Sequence, residues 1–465
     1  MAKYDVAIIG SGPGGYVSAI RAGELGLKTI VVEKDPFLGG TCLHVGCIPT
    51  KVLLHHADVY DHFKNGAELG FEVSGLKVNW ANILTRKNKI VTKHAKGIEF
   101  LFKKNKVEWL QGWGRYEGPG KISVEKDGKK STVEADNILL VSGSEAKSLP
   151  GIEPDHKQIL TNRSILELPN IPKTLIVVGA GAVGVEFASI YNSFGTQVTI
   201  LEALPRTVPL EDEEISAELE KSFKKKGINI FTSCAVDSVK KDPKGVTVSF
   251  KDKAGNAQTL QADKLLLAVG RKPLTENCGL EKSKARVERG FVFVDDHFQT
   301  AEPALYAVGD IVAGMPLLAH AAMMEGIIAV THIKGLPTQK LLKTRIPNAT
   351  YCEPQIGSIG LTEKQAKDAG YAVKTGKFPF VGNSKATILG NHGGFIKVVS
   401  DEKYGEVLGI HIIGPLATEI LSEAATVLKL EGTIDDMMTM VHAHPTVWEA
   451  MGDAFASVRG LQINV

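Results

Sequence analysis

Residues 4–15 read Tyr-Asp-Val-Ala-Ile-Ile-Gly-Ser-Gly-Pro-Gly-Gly, and an acidic residue, Glu33, ends the next apolar run. The first six residues are typical of a buried parallel strand, and the stretch from Pro13 to about Gly26 is typical of a helix. The glycines let the backbone turn tightly and approach a diphosphate at the helix N-terminus. Glu33 can accept hydrogen bonds from ribose hydroxyls. Strand, glycine loop, helix, strand and acid in this order predict a dinucleotide-binding unit.

The same pattern returns in the second third of the chain. Residues 175–178 predict a strand, a second glycine loop follows, and Glu202 ends the next strand. The counterparts of Gly10, Gly12, Gly15, Gly26 and Glu33 are Gly179, Gly181, Gly184, Gly195 and Glu202, each 169 positions later. Such an internal duplication predicts two dinucleotide sites in one chain.

Glu202 bears on which nicotinamide dinucleotide the second unit prefers. A carboxylate at this position pairs with a free 2′-hydroxyl and repels a 2′-phosphate. We therefore expect NAD rather than NADP. Arg206 lies close in sequence and leaves NADP open as an alternative.

A second informative stretch, residues 39–51, reads Gly-Gly-Thr-Cys-Leu-His-Val-Gly-Cys-Ile-Pro-Thr-Lys. A disulfide needs Cα atoms at most about 7 Å apart, and on a regular helix the spacing of Cys42 and Cys47 gives about 7.5 Å along the axis. A bridge therefore needs an irregular backbone, which Gly46 and Pro49 allow. Lys51 favours thiolate over thiol. Two unrelated thiols, or a zinc site with neighbouring histidines, stay open on these residues alone, although the spacing fits zinc poorly.

Near the C-terminus the chain reads His442-Ala-His444-Pro445-Thr446-Val-Trp-Glu449. A carboxylate that binds one ring nitrogen of a histidine leaves the other nitrogen free as a base. Pro445 favours the start of a helix there. A structural histidine is the alternative interpretation.

The bulk composition limits the classes of function. A chain of 465 residues predicts two to four domains, and 54 Lys and Arg against 52 Asp and Glu give no case for a nucleic-acid partner. No apolar run reaches the roughly 18 to 20 residues that span a bilayer. Five cysteines without a secretory signal favour a reducing cytosol, where a disulfide is usually catalytic. We therefore expect a cytoplasmic protein without membrane insertion.

Segment 39–51 resembles the redox-active disulfide segment of the flavoprotein disulfide reductases, class I of the pyridine nucleotide-disulfide oxidoreductases. Its form Cys-Leu-x-Val-Gly-Cys-Ile-Pro-[Ser/Thr]-Lys is most similar to the dihydrolipoamide dehydrogenase branch of that family. The resemblance runs from residue 4 to about residue 460, with His44 where Asn is commoner and Ser142 where Thr is commoner.

The resemblance implies an α/β fold with two Rossmann-like FAD/NAD(P)-binding domains and an α+β C-terminal dimerisation domain. It places a discontinuous FAD-binding domain at 1–148 and 275–345, an NAD-binding domain at 149–274 and the dimerisation domain at 346–465.

The resemblance also implies residue roles. Cys42 and Cys47 form the redox-active disulfide. His444, not His442, is the base, and Glu449 orients it. No metal is expected. The implied binding residues for one FAD per subunit and for NAD are Gly10, Gly12, Gly14, Gly15, Glu33, Lys34, Gly40, Thr41, Lys51, Gly114, Ser142, Gly143, Ser144, Gly179, Gly181, Gly184, Glu186, Glu202, Val236, Gly270, Asp310, Leu317, Leu318, Ala319 and His320.

The activity implied is oxidation of protein-bound dihydrolipoyl groups to lipoyl groups, with reduction of NAD+ to NADH. The implied partners are a second copy of the chain, and lipoyl domains of 2-oxo acid dehydrogenase complexes or of the glycine cleavage system. Glutathione reductase is an alternative that would need Arg at the place of Glu202. Mercuric reductase would need a further C-terminal cysteine pair, and no cysteine follows Cys352. A flavin-bound docking protein without turnover is the non-enzymatic alternative.

Overall fold

The computed structural model describes residues 3–464. The chain divides into two compact units. The first comprises the chain as far as Val52, together with Ala81–Lys147 and Gly270–Lys343. The second comprises Leu53–Trp80, Ser148–Val269 and the chain from Thr344 onward. The assignment of three functional domains stays a prediction.

A seven-stranded sheet lies at the centre of the first unit. Strand Tyr4–Ile9 pairs in parallel with a strand on each side. Its residues are almost fully buried, as the apolar run predicts. The strand order is Glu108–Gln111, Thr29–Glu33, Tyr4–Ile9, Lys129–Leu140, Lys121–Lys126, Trp113–Gly118, with Leu305–Ala307 paired in parallel to Lys129–Leu140. The sequence predicts a β-meander over 107–141, but the antiparallel part begins only at Trp113, because Glu108–Gln111 pairs in parallel with Thr29–Glu33.

Helices and short strand pairs alternate with these strands along the chain. The long helical stretch predicted over 52–105 is interrupted between Lys64 and Trp80. The helices are Pro13–Glu24, Gly40–Val45, Cys47–Lys64, Gly66–Leu69 (3-10), Trp80–Lys104, Leu280–Lys282 (3-10), Ala319–Ile333 and Lys343–Arg345 (3-10). Short strand pairs are formed by Ser144–Ala146 with Arg271–Pro273 and by Val287–Glu288 with Phe291–Val292.

The second unit contains a parallel five-stranded sheet and an antiparallel three-stranded sheet. The parallel order is Asn229–Phe231, Gln197–Leu201, Thr174–Val178, Lys264–Leu267, Ile159–Leu160. The antiparallel strands are Ala235–Asp242, Gly245–Lys251 and Ala257–Ala262, and the helices are Asn162–Ile165, Ala182–Ser193 and Glu213–Lys225.

From residue 348 onward the pattern changes to one antiparallel sheet with helices, as the sequence predicts. The strand order is Asn348–Thr350, Gln355–Gly360, Val407–Gly414, Phe395–Asp401, Val373–Pro379. The helices are Glu363–Asp368, Phe380–Gly382 (3-10), Ser384–Ile388, Ala417–Lys429, Ile434–Met438 and Glu449–Val458. These elements confirm the predicted fold class.

The internal duplication is visible in the backbone itself. The helix after the first glycine loop is Pro13–Glu24, and the helix after the second is Ala182–Ser193. The two helices start 169 positions apart and also end 169 positions apart. In each copy the third glycine lies against the first. A Cβ on Gly15 would lie 2.0 Å from the Gly10 oxygen, and a Cβ on Gly184 would lie 1.9 Å from the Gly179 oxygen. The close packing of helix on strand therefore requires glycine at both positions.

This contact predicts that Gly184→Ala destabilises the second unit. The added methyl group forces the helix away from the Gly179 carbonyl, and we expect a cost of about 1–3 kcal/mol, measured as a lower thermal midpoint. Gly97→Ala is the matched control, because a Cβ at this position in helix Trp80–Lys104 meets nothing within 4 Å. The control should gain about 0.5–1 kcal/mol. Equal thermal midpoints for the two variants would contradict the steric argument.

Candidate functional site

Cys42 and Cys47 lie on two consecutive helices that meet at Gly46. Cys42 belongs to Gly40–Val45, and Cys47 is the first residue of Cys47–Lys64. Gly46 interrupts the helical backbone, as a bridge between the two sulfurs requires. A Cβ on Gly46 would lie 2.8 Å from the Thr41 oxygen and 3.1 Å from the Cys42 Cα. Glycine therefore allows the two helices to approach closely enough for the thiols to meet.

The two cysteines are half-buried free thiols that interact with each other. The hydrogen bond from Cys42 to Cys47, together with burial, raises the pKa of Cys42, while the positive charge of Lys51 works in the opposite direction. Cys47 stands at a helix N-terminus, where the helix dipole favours a negative charge. The arrangement thus favours a thiol at Cys42 that donates to Cys47. Tyr16, which the sequence analysis did not single out, is a further neighbour: burial raises the pKa of Tyr16, and the nearby Cys42 and Cys47 sulfurs add to the rise.

The histidine between the two sulfurs binds its own loop. The His44 Nε2 atom lies 2.8 Å from the Leu38 oxygen, and the ring contacts Phe37 with centroids 5.6 Å apart. Within residues 3–464, no group of three or more His, Cys, Asp and Glu side chains is arranged to hold a metal ion. The segment is therefore not arranged as the zinc site that its composition left open.

Glu33 binds the first glycine loop and so positions the cysteine segment. Its Oε2 accepts hydrogen bonds from the Ser11 amide at 2.8 Å and the Ser11 hydroxyl at 2.7 Å, and its Oε1 accepts from the Asp35 amide at 2.9 Å. The Ser11 carbonyl in turn accepts from the Gly39 amide at 3.0 Å. A Cβ on Gly40 would lie 2.6 Å from the Gly12 Cα. The helix that carries Cys42 therefore begins directly at the fingerprint loop.

Glu202 repeats this arrangement in the second unit. Its Oε2 accepts from the Ala180 amide at 2.6 Å, and its Oε1 accepts from the Leu204 amide at 2.8 Å. Ala180 and Leu204 are the counterparts of Ser11 and Asp35. The sequence analysis predicts that Glu33 and Glu202 each bind a ribose. The structure adds that each carboxylate also binds the backbone of its own glycine loop. A carboxylate oxygen has two lone pairs, so these bonds leave acceptor capacity for a ribose hydroxyl.

Both glycine loops have room for a diphosphate. Gly12 and Gly181 precede their helices, no side chain caps either first turn, and a Cβ on either glycine would meet nothing within 4 Å. An open helix N-terminus with its amide groups and dipole is suited to bind an anion. The residues of each loop therefore fit the diphosphate of a dinucleotide.

A second polar cluster in the first unit surrounds Asp310. The Ser144 hydroxyl donates to the Asp310 carboxylate, and Arg271 Nε donates to the Ser144 oxygen at 2.7 Å. Arg271 Nε also lies 3.8 Å from an Asp310 oxygen. Glu325, on helix Ala319–Ile333, accepts from the Gly309 amide at 2.7 Å. The structure thus brings together Ser144 and Asp310, which were predicted, and Arg271 and Glu325, which were not assigned a role.

Glu325 is a fully buried carboxyl group. Burial raises its pKa to about 7, Asp310 adds to this shift and the Gly309 amide opposes it. Among the described residues its Oε1 has no hydrogen-bond partner. No sequence pattern indicates this group, because its partners lie on a distant loop.

The other predicted binding residues lie on loops, element ends and core strands of their own units. Glu186 Oε1 accepts from the Tyr351 amide at 2.9 Å, and a pairing of Glu186 with Lys51 stays a prediction. Val236 packs against the core of the second unit. In the first unit, Lys34 pairs with Asp35 and Gly270 accepts from the Lys147 amide. Gly14, Thr41, Gly114, Ser142, Gly143, Leu317, Leu318, Ala319 and His320 also belong to the first unit.

His444 and Glu449 form a hydrogen-bonded pair in the second unit. His444 Nδ1 lies 2.9 Å from Glu449 Oε1, and the Thr446 amide donates to Glu449 Oε2 at 2.7 Å. Burial acts to raise the pKa of Glu449, but the Thr446 amide and the His444 ring outweigh it and lower that pKa. The His444 side chain is 73% exposed. This is the geometry of an oriented base.

One detail of this segment differs from the prediction. The helix begins at Glu449, not at Pro445. The prediction from Pro445 was wrong because the Glu449 carboxylate binds the Thr446 amide, and this bond closes a turn ahead of the helix. Glu449 therefore also benefits from the positive end of the helix dipole.

Comparison with known proteins identifies the family. Residues 4–326 match the profile of Pyridine nucleotide-disulphide oxidoreductase. The chain belongs to this family. Residues 346–455 match the family's dimerisation domain, which includes His444 and Glu449. The predicted resemblance is thereby confirmed.

Members of the family are similar over nearly the whole chain. The Dihydrolipoyl dehydrogenase of Bacillus subtilis is 41% identical over 473 residues, with 99% of each chain covered. The Dihydrolipoyl dehydrogenase of Rhizobium etli is also 41% identical, over 479 residues and 99% of each chain. Among solved structures, LpdA from Mycobacterium tuberculosis has a TM-score of 0.89 at 26% identity, covering 98% of this chain and 99% of its own.

Glu325 leads to a prediction about pH. Its pKa is raised from 4.5 to about 7, so the wild type loses stability as pH rises between these values, and the loss is constant above them. Glu325→Gln removes this titration, and its thermal midpoint should fall less between about pH 5 and about pH 7. Glu24→Gln, at an exposed acid in the same unit, is the control and should follow the wild type. Parallel curves for wild type and Glu325→Gln would reject the assignment.

Proposed function

We propose that the chain is a dihydrolipoyl dehydrogenase, which oxidises a dihydrolipoyl dithiol to its disulfide and reduces NAD+ to NADH. The observation that carries this proposal is the contact between Cys42 and Cys47 across the break at Gly46. A strained short-loop disulfide in this position is readily reduced. The oriented His444–Glu449 pair and the names of the most similar relatives support the same function.

The residues of the chain supply an acid–base and thiol-exchange sequence. His444 takes a proton from one substrate thiol, and the resulting thiolate attacks Cys42. The bond between Cys42 and Cys47 breaks, and Cys47 leaves with the electron pair as a thiolate. His444 passes this proton to the departing Cys42 and takes the proton of the second substrate thiol, whose sulfur attacks the mixed disulfide and releases the substrate as a disulfide. Cys42 accepts a proton from His444, consistent with the factors that raise the Cys42 pKa.

We assign FAD to the first glycine loop and NAD to the second. Gly12, Glu33 and Asp310 would bind FAD, and Gly181 and Glu202 would bind NAD. When bound, the two cofactors supply the carriers that accept the electron pair from the reduced cysteines. Lys51 adds positive charge beside the pair, which favours the thiolate needed for that transfer.

The surroundings of Glu202 support NAD over NADP. A 2′-phosphate needs a cation near this carboxylate, and Arg206 is the candidate. Arg206 instead donates to the Glu213 carboxylate at 2.8 Å and to the Pro209 carbonyl at 3.1 Å. An arginine bound in this way is less available to neutralise a phosphate.

We further propose a homodimer in which His444 of one subunit serves the cysteine pair of the other. The match to a dimerisation domain over residues 346–455 supports a dimer. Lipoyl domains of 2-oxo acid dehydrogenase complexes or of the glycine cleavage system would present the substrate, and the cytoplasm is the proposed location. None of the helices within residues 3–464 combines the length and apolarity needed to cross a membrane.

The direct test measures reduction of NAD+ by dihydrolipoamide. The wild type should reduce NAD+ much faster than NADP+, because Glu202 repels a 2′-phosphate. Cys47→Ser and His444→Gln should each lose more than about 100-fold in kcat, since one lacks the disulfide and the other the base. Cys234→Ser, at a buried cysteine outside the pair, is the matched control and should retain activity. A preference for NADPH with glutathione disulfide would point to the alternative disulfide reductase.

A shared site predicts complementation between two inactive variants. Cys47→Ser and His444→Gln chains are co-expressed with different tags, and the mixed dimers are isolated. In a mixed dimer both lesions fall in one composite site, so the other site is intact and about half of wild-type activity should return. Mixed dimers of Cys47→Ser with Cys42→Ser are the control and should stay inactive. Isolated mixed dimers of the first kind without turnover would show that the site is not shared.

A further inference from the structure

We propose that Glu220 is a positioning residue for NAD, which acts by holding residues 206–212 against the second glycine loop. We call these residues the brace segment. The inference rests on the proposed function, because it takes the second glycine loop as the NAD site. It extends that function, since none of the residues assigned to NAD above lies in the brace segment or in helix Glu213–Lys225, which follows it.

The internal duplication extends beyond the two glycine loops and their acids. In the first copy, the Gly39 amide donates to the Ser11 carbonyl at 3.0 Å. The residue 169 positions after Gly39 is Val208, in the brace segment, and its amide donates to the Ala180 carbonyl at 2.8 Å. Ala180 is thus held on both sides, because its own amide donates to Glu202. The brace segment therefore fixes the second glycine loop as the cysteine segment fixes the first.

Val208 does not favour this backbone conformation by itself. Its φ is 38°, in the left-handed region that a β-branched side chain rarely adopts, whereas its counterpart Gly39 has a φ of 117°. A strained residue of this kind persists only where its surroundings determine it. The contacts of the brace segment therefore decide whether the Val208 amide stays on the Ala180 carbonyl.

Three side chains hold the brace segment around Val208. Glu220 Oε1 accepts from the Thr207 amide, directly before Val208, at 3.0 Å. The Ser216 hydroxyl lies 3.4 Å from the Val208 oxygen. Arg206 donates to two backbone carbonyls farther along the brace segment, at 3.1 and 3.3 Å. Among these contacts, the bond from a backbone amide to the Glu220 carboxylate is charge-assisted and acts next to the strained residue.

The end of the brace segment is fixed on the five-stranded antiparallel sheet. Glu211 and Asp212 are buried; Asn348 Nδ2 donates to the Glu211 carboxylate, and Lys397 Nζ donates to Asp212. Asn348 and Lys397 lie in one row of directly opposed residues that runs across four strands of this sheet. Such residues share one face of a sheet. Buried contacts therefore fix the end of the brace segment, and the contacts around Val208 fix its middle.

Loss of the Glu220 carboxylate has a consequence for NAD. The Thr207 amide loses its acceptor, and Val208 can then leave its strained conformation. Its amide no longer holds the Ala180 carbonyl for all of the time, so the glycine loop loses part of its fixed shape. A dinucleotide that binds a looser loop has to order it, and its affinity falls.

The test measures the Kd for NAD+ by isothermal titration calorimetry in the full-length, FAD-loaded enzyme. Glu220→Ala should raise this Kd by about 3- to 10-fold, the effect of one lost hydrogen bond. The KM for NAD+ should rise equally, while the FAD content and the KM for dihydrolipoamide stay unchanged. Glu220→Gln keeps an acceptor oxygen and should stay within about 2-fold of the wild type. Glu218→Ala is the matched control, because Glu218 pairs with Lys221 on the same helix, and its Kd should not change.

A second readout needs neither nucleotide nor turnover. Amide hydrogen exchange is measured by mass spectrometry on peptides that cover residues 179–184, in the FAD-loaded enzyme without NAD. Exchange there should be faster in Glu220→Ala than in the wild type, and Glu220→Gln should match the wild type, because local opening exposes loop amides. Peptides that cover residues 10–15, the first glycine loop, should not change in either variant.

The outcomes separate this inference from the proposed function. An unchanged Kd and unchanged exchange in folded Glu220→Ala, or equal losses in Glu220→Ala and Glu220→Gln, would overturn the inference. A wild type that does not bind NAD+ would instead overturn the proposed function, and the exchange of residues 179–184 would still test the brace segment. Alanine is favoured in helices, so Glu220→Ala should fold. Ser216→Ala, which removes the bond to the Val208 oxygen, is a second variant and should raise the Kd and the exchange in the same direction.

Discussion

The hydrogen bonds from Ser11 to the Glu33 carboxylate are the interaction on which the first unit depends. Glu33 is the last residue of strand Thr29–Glu33, and Ser11 lies in the glycine loop after the neighbouring strand Tyr4–Ile9. These bonds therefore join the two strand ends. The same serine binds Gly39, at the start of the segment that carries Cys42. One buried carboxylate therefore fixes the first glycine loop and the segment that carries Cys42 relative to each other. The proposed function needs such a fixed relation, because the cysteine pair must exchange electrons with the cofactor that the loop would bind.

Much of this arrangement could be predicted because the relevant residues are close in sequence or regularly spaced. The glycine loops, Glu33, Glu202 and the cysteine pair follow from short patterns with direct physical reasons. The role of Glu325 could not be predicted, since nothing in helix Ala319–Ile333 indicates that its carboxyl group binds a loop amide. The contact of His442 with Glu423 joins residues 19 apart on a loop and a helix. The helix start at Glu449 was missed because a side-chain bond, not Pro445, determines it.

The second unit depends on a buried ion cluster as well as on its glycine loop. Lys397 is almost fully buried, and its Nζ lies 3.1 Å from Asp212, 2.8 Å from Glu214 and 2.7 Å from Glu363. Burial acts to lower the pKa of Lys397, but these carboxylates outweigh it and raise that pKa. Asp212 also caps helix Glu213–Lys225. The cluster thus holds helix Glu213–Lys225 against strand Phe395–Asp401, and its desolvation cost is offset only while every partner is present.

The two copies of the nucleotide loop differ at the position next to their first glycine, and this difference bears on how long each ligand stays. Ser11 binds its acid with both amide and hydroxyl, whereas Ala180 offers the amide alone. A more firmly held loop resists the opening through which a ligand dissociates, and a less firmly held loop permits it. Under the proposed assignment, the first copy is therefore suited to the FAD that stays bound and the second to the NAD that exchanges. The Ser11 hydroxyl gives the first loop a hydrogen bond to its acid that the second loop lacks.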